Sequence, residues 1–178
     1  LSVGTAMVFT HLVVAKTAAD HGVNGVLAIV FGLLFGTLLG ALNGGLVTKV
    51  RLPPFIVTLG TLNVFTSLGL IYSKAQTIQG DKMPSLLTWT GHIIKIGSMN
   101  ITTGVLMMLG MYVVFGFVLA NTAWGRHIYA VGDDAEAARL AGIDVNRVLL
   151  SAYMVAGLVY GIVAWIQLGR SGSASVNA

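Results

Sequence analysis

Groups able to exchange a proton, hold a metal or carry charge are scarce in this 178-residue sequence: ten Lys and Arg, six Asp and Glu, four His and no Cys. They are also unevenly placed. Seven of the sixteen charged residues fall within "RHIYAVGDDAEAARLAGIDVNR", from Arg126 to Arg147, and four of the six acids are among them. His11, His21, His92 and His127 share no metal-ligand spacing, and no G-x-x-x-x-G-K-[ST] loop is present to cradle phosphate. No carboxylate pair stands inside an apolar stretch, where acid/base work could be insulated from water. The sequence therefore does not read as an enzyme.

The elements that must position the charged cluster are apolar. Hydrophobic residues make up 56% of the chain and charged ones 9%, with a mean hydropathy of +0.86, which is a membrane composition. The net charge of +4 comes from basic residues lying mostly between apolar blocks, which fits juxtamembrane anchoring and not a nucleic-acid face. A bilayer core of about 30 Å needs roughly 20 apolar residues in a helix. Blocks at Gly25 to Val47, Pro54 to Ile71, Thr103 to Ala120 and Val148 to Leu168 meet or approach that length, and Leu1 to Ala15 reads as a truncated fifth. The fold class expected is an all-α, polytopic transmembrane helix bundle of about five spans, forming a single domain over 1–178.

Polar connections separate the blocks: "KTAADHG", "TKVRLP", a long stretch from Tyr72 to Thr102, and a charged loop over 121–147 that opens with "NTAWGRHIY". Pro53 and Pro54 sit where a helix start tolerates proline, because the first turn has no N–H partners to lose. The positive-inside rule does not decide the orientation. Lys49, Arg51, Arg126, Arg139 and Arg147 lie on one side, and Lys16, Lys74, Lys82, Lys95 and Arg170 on the other. Only the shorter length of the first set's connections leans towards its being cytoplasmic. The chain begins at Leu1 inside an apolar run and stops at "GRSGSASVNA", so it reads as an internal piece of a longer polypeptide.

The four complete blocks hold no Asp, Glu, Lys, Arg or His, and the fifth holds only His11. An ionisable group in a span costs about 2.5–3.5 kcal/mol on insertion scales and is kept where it has a use, as in the relays of ion-coupled carriers. Their absence implies that energy for any transport enters from outside the spans. An ion-gradient-driven secondary transporter or channel is the alternative, with a sodium site built of carbonyls and hydroxyls. Glycines at 32, 36, 40 and 44 fall on one helix face, which suits close packing of a second helix and leaves a ligand path along bare backbone as the other reading. Asn43, Thr58, Asn63 and Gln167 are uncharged polar groups in or near spans. They suit either ties between helices or the translocation path of a neutral polar solute.

The charged loop contains a short helix with marked ends. Asp133 or Asp134 can cap its start, and with Asp133 as the cap Glu136 takes the third helical position of a capping box. Gly142 supplies a left-handed terminator, and Ile143 can fold back over the last turn. About two turns, roughly 12 Å, is too short to stand alone. Its small-residue surface at Ala135, Ala137, Ala138 and Ala141 suits either a groove on another protein or the membrane interface.

"TAWGRHIYAVGDDAEAARLAGIDVNRVLLSAYMVAG" resembles the cytoplasmic loop and following span of permease subunits of bacterial ABC importers for simple sugars, of the ribose, xylose and fructose type. The match runs through Thr122, Gly125, Arg126, Ile128, Tyr129, Ala130 and Gly132, then Asp134, Ala137, Ala138, Ala141, Gly142, Ile143 and Val145. "LSVGT" at 1–5 and "LNGGLVTKVRLPPFIVTLGTL" at 42–62 agree as well. Asp133 and Asp134 stand where many members read Gly-Asn or Gly-Asp. The resemblance implies an inner-membrane permease of about ten spans that pairs with a second permease copy. It also implies a periplasmic sugar-binding protein on one side and cytoplasmic ABC ATPase subunits on the other. ATP and Mg would then sit on that partner, with no cofactor bound by this chain. It further implies that Asp134, Glu136, Ala137, Ala138, Arg139, Gly142 and Ile143 form a coupling helix seated in the ATPase, and that 121–147 is cytoplasmic. The wording of "AWGRHIYAVGDD" and "LPPFIVTLG" is nearest the fructose-type members.

Overall fold

The structure is a computed structural model that describes residues 1–21, 23–74, 76–79, 85–96 and 99–175. Lys82, on the long connection, lies outside the described residues, as do 176–178. Three long helices come first: α1 (Val3–His21), α2 (Gly25–Thr48) and α3 (Pro54–Ser73). The long connection then forms a two-residue strand β1 (Ile78–Gln79), a short helix α4 (Ser85–Thr88) with a further tight turn to Gly91, and a hairpin of β2 (Ile93–Ile96) and β3 (Met99–Thr102). The chain continues with α5 (Thr103–Asn121), α6 (Ala123–Asp133), α7 (Ala135–Leu140), α8 (Val145–Ser171) and β4 (Ser173–Ala174), which pairs antiparallel with β1.

Helices α2, α3, α5 and α8 are long and apolar enough to cross a membrane, and α1 is a shorter apolar helix beside them. Their internal hydrogen bonding satisfies the backbone where no water is present. Two boundaries differ from the sequence reading. The polar "KTAADH" is not a connection but the last turns of α1. Lys16 is accommodated there because its Nζ donates to the Tyr72 carbonyl at 2.7 Å and stands 4.5 Å from the Tyr72 ring centre, a partner that only α3 can supply. Helix α8 likewise starts three residues before Val148, because the Asp144 side chain caps it by accepting from the Arg147 amide at 3.1 Å.

Helix α1 is the centre of the bundle. From Phe9 to Ala15 every residue is buried, Thr10 and His11 included, so this segment is enclosed all round and presents no single face to a neighbour. The Phe9 ring meets Phe35 of α2 edge-on at 5.2 Å and stacks on Phe65 of α3 at 6.4 Å. Leu12, Val14, Ala15 and Ala18 close a second cluster with Ala28, Leu168 and Leu87, which brings α4 down onto the bundle. Successive spans alternate in direction. Consequently Thr48 and Lys49 line one small cavity with Asp144 and Arg147, while Lys16 and Lys74 line another with Ile78 at the opposite end. The charged loop and the Lys49–Pro53 turn thus share one end of the molecule.

Candidate functional site

The charged loop folds into two helices, where the sequence reading predicts one. "NTAWGRHIY" is not an irregular lead-in: Ala123–Asp133 is helical. Thr122 ends α5 and starts α6 with the same hydroxyl, which donates to the Val118 carbonyl at 2.7 Å and accepts from the Gly125 amide at 3.1 Å. Gly125 lies against the last turn of α5, and a Cβ there would strike the Leu119 carbonyl. Trp124 Nε1 donates to Ser151 Oγ at 2.8 Å, tying α6 to α8. A Thr cap followed by Ile128 and Val131 at helical spacing is the sequence signal that could have revealed α6.

Because α6 runs through Asp133, that residue cannot cap α7. Asp134 does: its Oδ1 accepts from the Glu136 and Ala137 amides at 2.9 and 3.0 Å. Glu136 therefore takes the second helical position, and the capping box expected around Asp133 is replaced by an exposed ion pair, Arg139 to Glu136 at 3.1 Å. At the far end Gly142 adopts φ +84°, its amide donates to the Arg139 carbonyl, and the Ile143 amide reaches back to the Ala138 carbonyl, each at 3.0 Å. This is the paired hydrogen-bond pattern of a left-handed helix stop. Asp144 follows at once and caps α8, with Arg147 Nε 2.9 Å from its Oδ2. Two of the loop's acids, Asp134 and Asp144, thus start α7 and α8, and Glu136, Arg139 and Arg147 form exposed pairs beside those caps.

The alanines of α7 divide into two kinds. Ala138 is 4% exposed and packs with Val131, Val145 and Val148, with Ile128 and Ile143 at the margin. Ala135, Ala137 and Ala141 are exposed, and Leu140, at 83%, stands clear of the protein altogether. A helix too short to persist alone is held by its caps and one buried alanine, and it offers an apolar side chain framed by charges.

Glycines 32, 36, 40 and 44 all face neighbouring helices. A Cβ on Gly32 would meet the Val14 side chain; on Gly36 it would strike the Gly157 carbonyl, and on Gly40 the Tyr153 carbonyl. On Gly44 it would come within 2.8 Å of Tyr153 Cβ. The reciprocal glycines on α8, Gly157 and Gly161, carry the same spacing of four, a signal in the sequence for the partner face; a Cβ at Gly161 would approach Gly32 O to 2.8 Å. No ligand path separates these backbones.

No hydrogen bond among the described residues joins Asn43, Thr58, Asn63 and Gln167 to one another. Asn43 is buried, with Nδ2 donating to Ser2 Oγ at 3.0 Å and Oδ1 unpartnered among the described residues. Thr58 and Asn63 donate to carbonyls of their own helix, Pro54 and Leu59, and Gln167 lies near the far end of α8. His11 is buried inside α1, with Nε2 unpartnered among the described residues. No group of three His, Cys, Asp or Glu that could hold a metal is found among the described residues.

An alternating stack of apolar helices with a capped, outward-facing helix at one end defines a multi-pass helical membrane protein. The family model described as branched-chain amino acid transport system / permease component matches residues 1–178, and the chain belongs to that family. It is similar to the fructose import permease protein FrcC of Rhizobium meliloti, 40% identical across 100% of this chain and 50% of the relative. It is also similar to the ribose import permease protein RbsC of Bacillus subtilis, at 38% across 100% and 54%. The autoinducer 2 import system permease protein LsrC of an Enterobacter strain is 32% identical across 95% and 48%. The chain thus spans about half the length of the curated relatives it matches. No solved structure matches it. Family and helices together make it a multi-pass protein of the bacterial inner membrane.

Proposed function

We propose that this chain is the membrane-spanning part of an ATP-driven importer that carries a monosaccharide, a pentose or a fructose-type hexose, by alternating access. The observation that carries the proposal is α7. Its two ends are fixed by Asp134 and Gly142, its one buried side chain is locked to α6 and α8, and Leu140 projects outward. Such a helix suits a socket on a cytoplasmic ABC ATPase, and the names of the fructose and ribose relatives support the sugar. On this reading ATP and Mg are bound by the partner, this chain binds no cofactor, and 121–147 faces the cytoplasm. A periplasmic sugar-binding protein delivers substrate at the opposite end, and a second permease copy completes the assembly.

Nucleotide binding at the partner must favour one arrangement of the helices over another, so contact at α7 has to differ between the two states. Displacement of α7 passes to α8 through the short link that holds Ile143 and Asp144, and from α8 to α2 through the glycine contacts. The test is co-purification of the full-length protein with its genomic neighbours, followed by sugar uptake. Capture of an ATPase by the native sequence, and its loss when 133–142 is replaced by a Gly/Ser linker, is the expected result. Uptake that survives ATP depletion and stops when the ion gradient collapses would overturn it.

A further inference from the structure

Helices α5 and α8 touch where Gly104 admits Ile166: a Cβ on Gly104 would come within 2.8 Å of Ile166 Cγ2. Beyond that contact a groove separates them. It consists of two cavities of about 440 and 540 Å³ that share Met108, Met111 and Val163 and are therefore continuous. From Gly104 to Leu119 it extends about 22 Å at 1.5 Å per residue, longer than one leaflet of a core about 30 Å thick. Hydrocarbon, thioether and aromatic groups line most of its length, which suits a hydrocarbon occupant. Unbranched methionines adapt to a flexible apolar occupant.

Charge is confined to one mouth. Arg170, in the last turn of α8, lines the groove beside Thr90 and Thr102, level with the start of α5. Among the described residues it makes no ion pair. A long basic side chain at a span end extends to headgroup depth, where lipid phosphates lie. We infer that the groove between α5 and α8 holds one acyl chain of an anionic phospholipid, with its phosphate at Arg170. An apolar trough with a cation at one mouth complements that molecule, its hydrocarbon wall matching the acyl chain and Arg170 the phosphate.

The test uses the full-length protein in mild detergent, with native mass spectrometry in the presence of phosphatidylglycerol and phosphatidylethanolamine. The native protein retains phosphatidylglycerol preferentially. Arg170→Gln lowers that preference roughly fivefold, the effect of one basic residue at a membrane surface. Met111→Trp with Val163→Trp fills the groove and abolishes retention. Equal retention by all three proteins overturns the inference. Because the double variant could fail to fold, a photoreactive benzoylphenylalanine at Met108 provides a second readout. Cross-linking to lipid supports the site; cross-linking to another segment of the protein or to a second copy overturns it.

Discussion

Gly40 of α2 and Gly157 of α8 meet backbone to backbone: a Cβ on Gly40 would lie 3.0 Å from the Gly157 Cα. The atoms it would displace belong to a helix backbone and cannot rotate away. Gly40→Leu is expected to destabilise the bundle by about 1–3 kcal/mol, the usual cost of overpacking. Thermal unfolding in detergent measures it, with Gly45→Ala as the neutral control because open space surrounds Gly45.

The two adjacent aspartates separate by function. Asp134→Ala removes the acceptor for two amides and costs about 0.5–2 kcal/mol of α7 stability, whereas Asp133→Ala leaves α7 capped. Hydrogen exchange at Glu136 and Ala137 reports the difference. Equal exchange in the two variants contradicts the capping assignment.

Gly142→Ala forces a Cβ into φ +84°, at roughly 1–2 kcal/mol. The amides of Gly142 and Ile143 should lose exchange protection together, since both hydrogen bonds depend on that turn. Insertion of the spans is unaffected.

Leu140→Ser changes nothing inside the protein, because the side chain is 83% exposed. ATPase capture should weaken about tenfold, equivalent to about 1.4 kcal/mol. Glu136→Lys is expected to act in the same direction by placing a cation at the positive end of α7. The Glu136–Arg139 pair is itself too exposed to contribute much stability. Unchanged capture by both variants would remove α7 from the interface.

The spans were legible because apolar run length and the Pro53–Pro54 start depend on local sequence alone, and the same holds for Gly142 as a helix stop. What was not legible depends on partners distant in sequence. The helical state of "KTAADH" is supported by Lys16 reaching Tyr72, 56 residues away. The choice of Asp134 over Asp133 follows from α6 persisting through Asp133, with Val131 packed against Ala138 and Val148. Of the four polar residues considered for a path, Asn43 and Thr58 lie near the joined ends of α2 and α3 while Gln167 lies near the far end of α8, a distribution in depth that residue type could not reveal.

Thr122 has one further consequence. If α5 and α6 swivelled apart, the Gly125 amide would lose its acceptor and the Val118 carbonyl its hydroxyl donor, so their junction behaves as a rigid elbow. A pull on α6 by a docked partner is therefore expected to tilt α5 as a whole, with the close approach of Gly104 to Ile166 as the contact about which it turns.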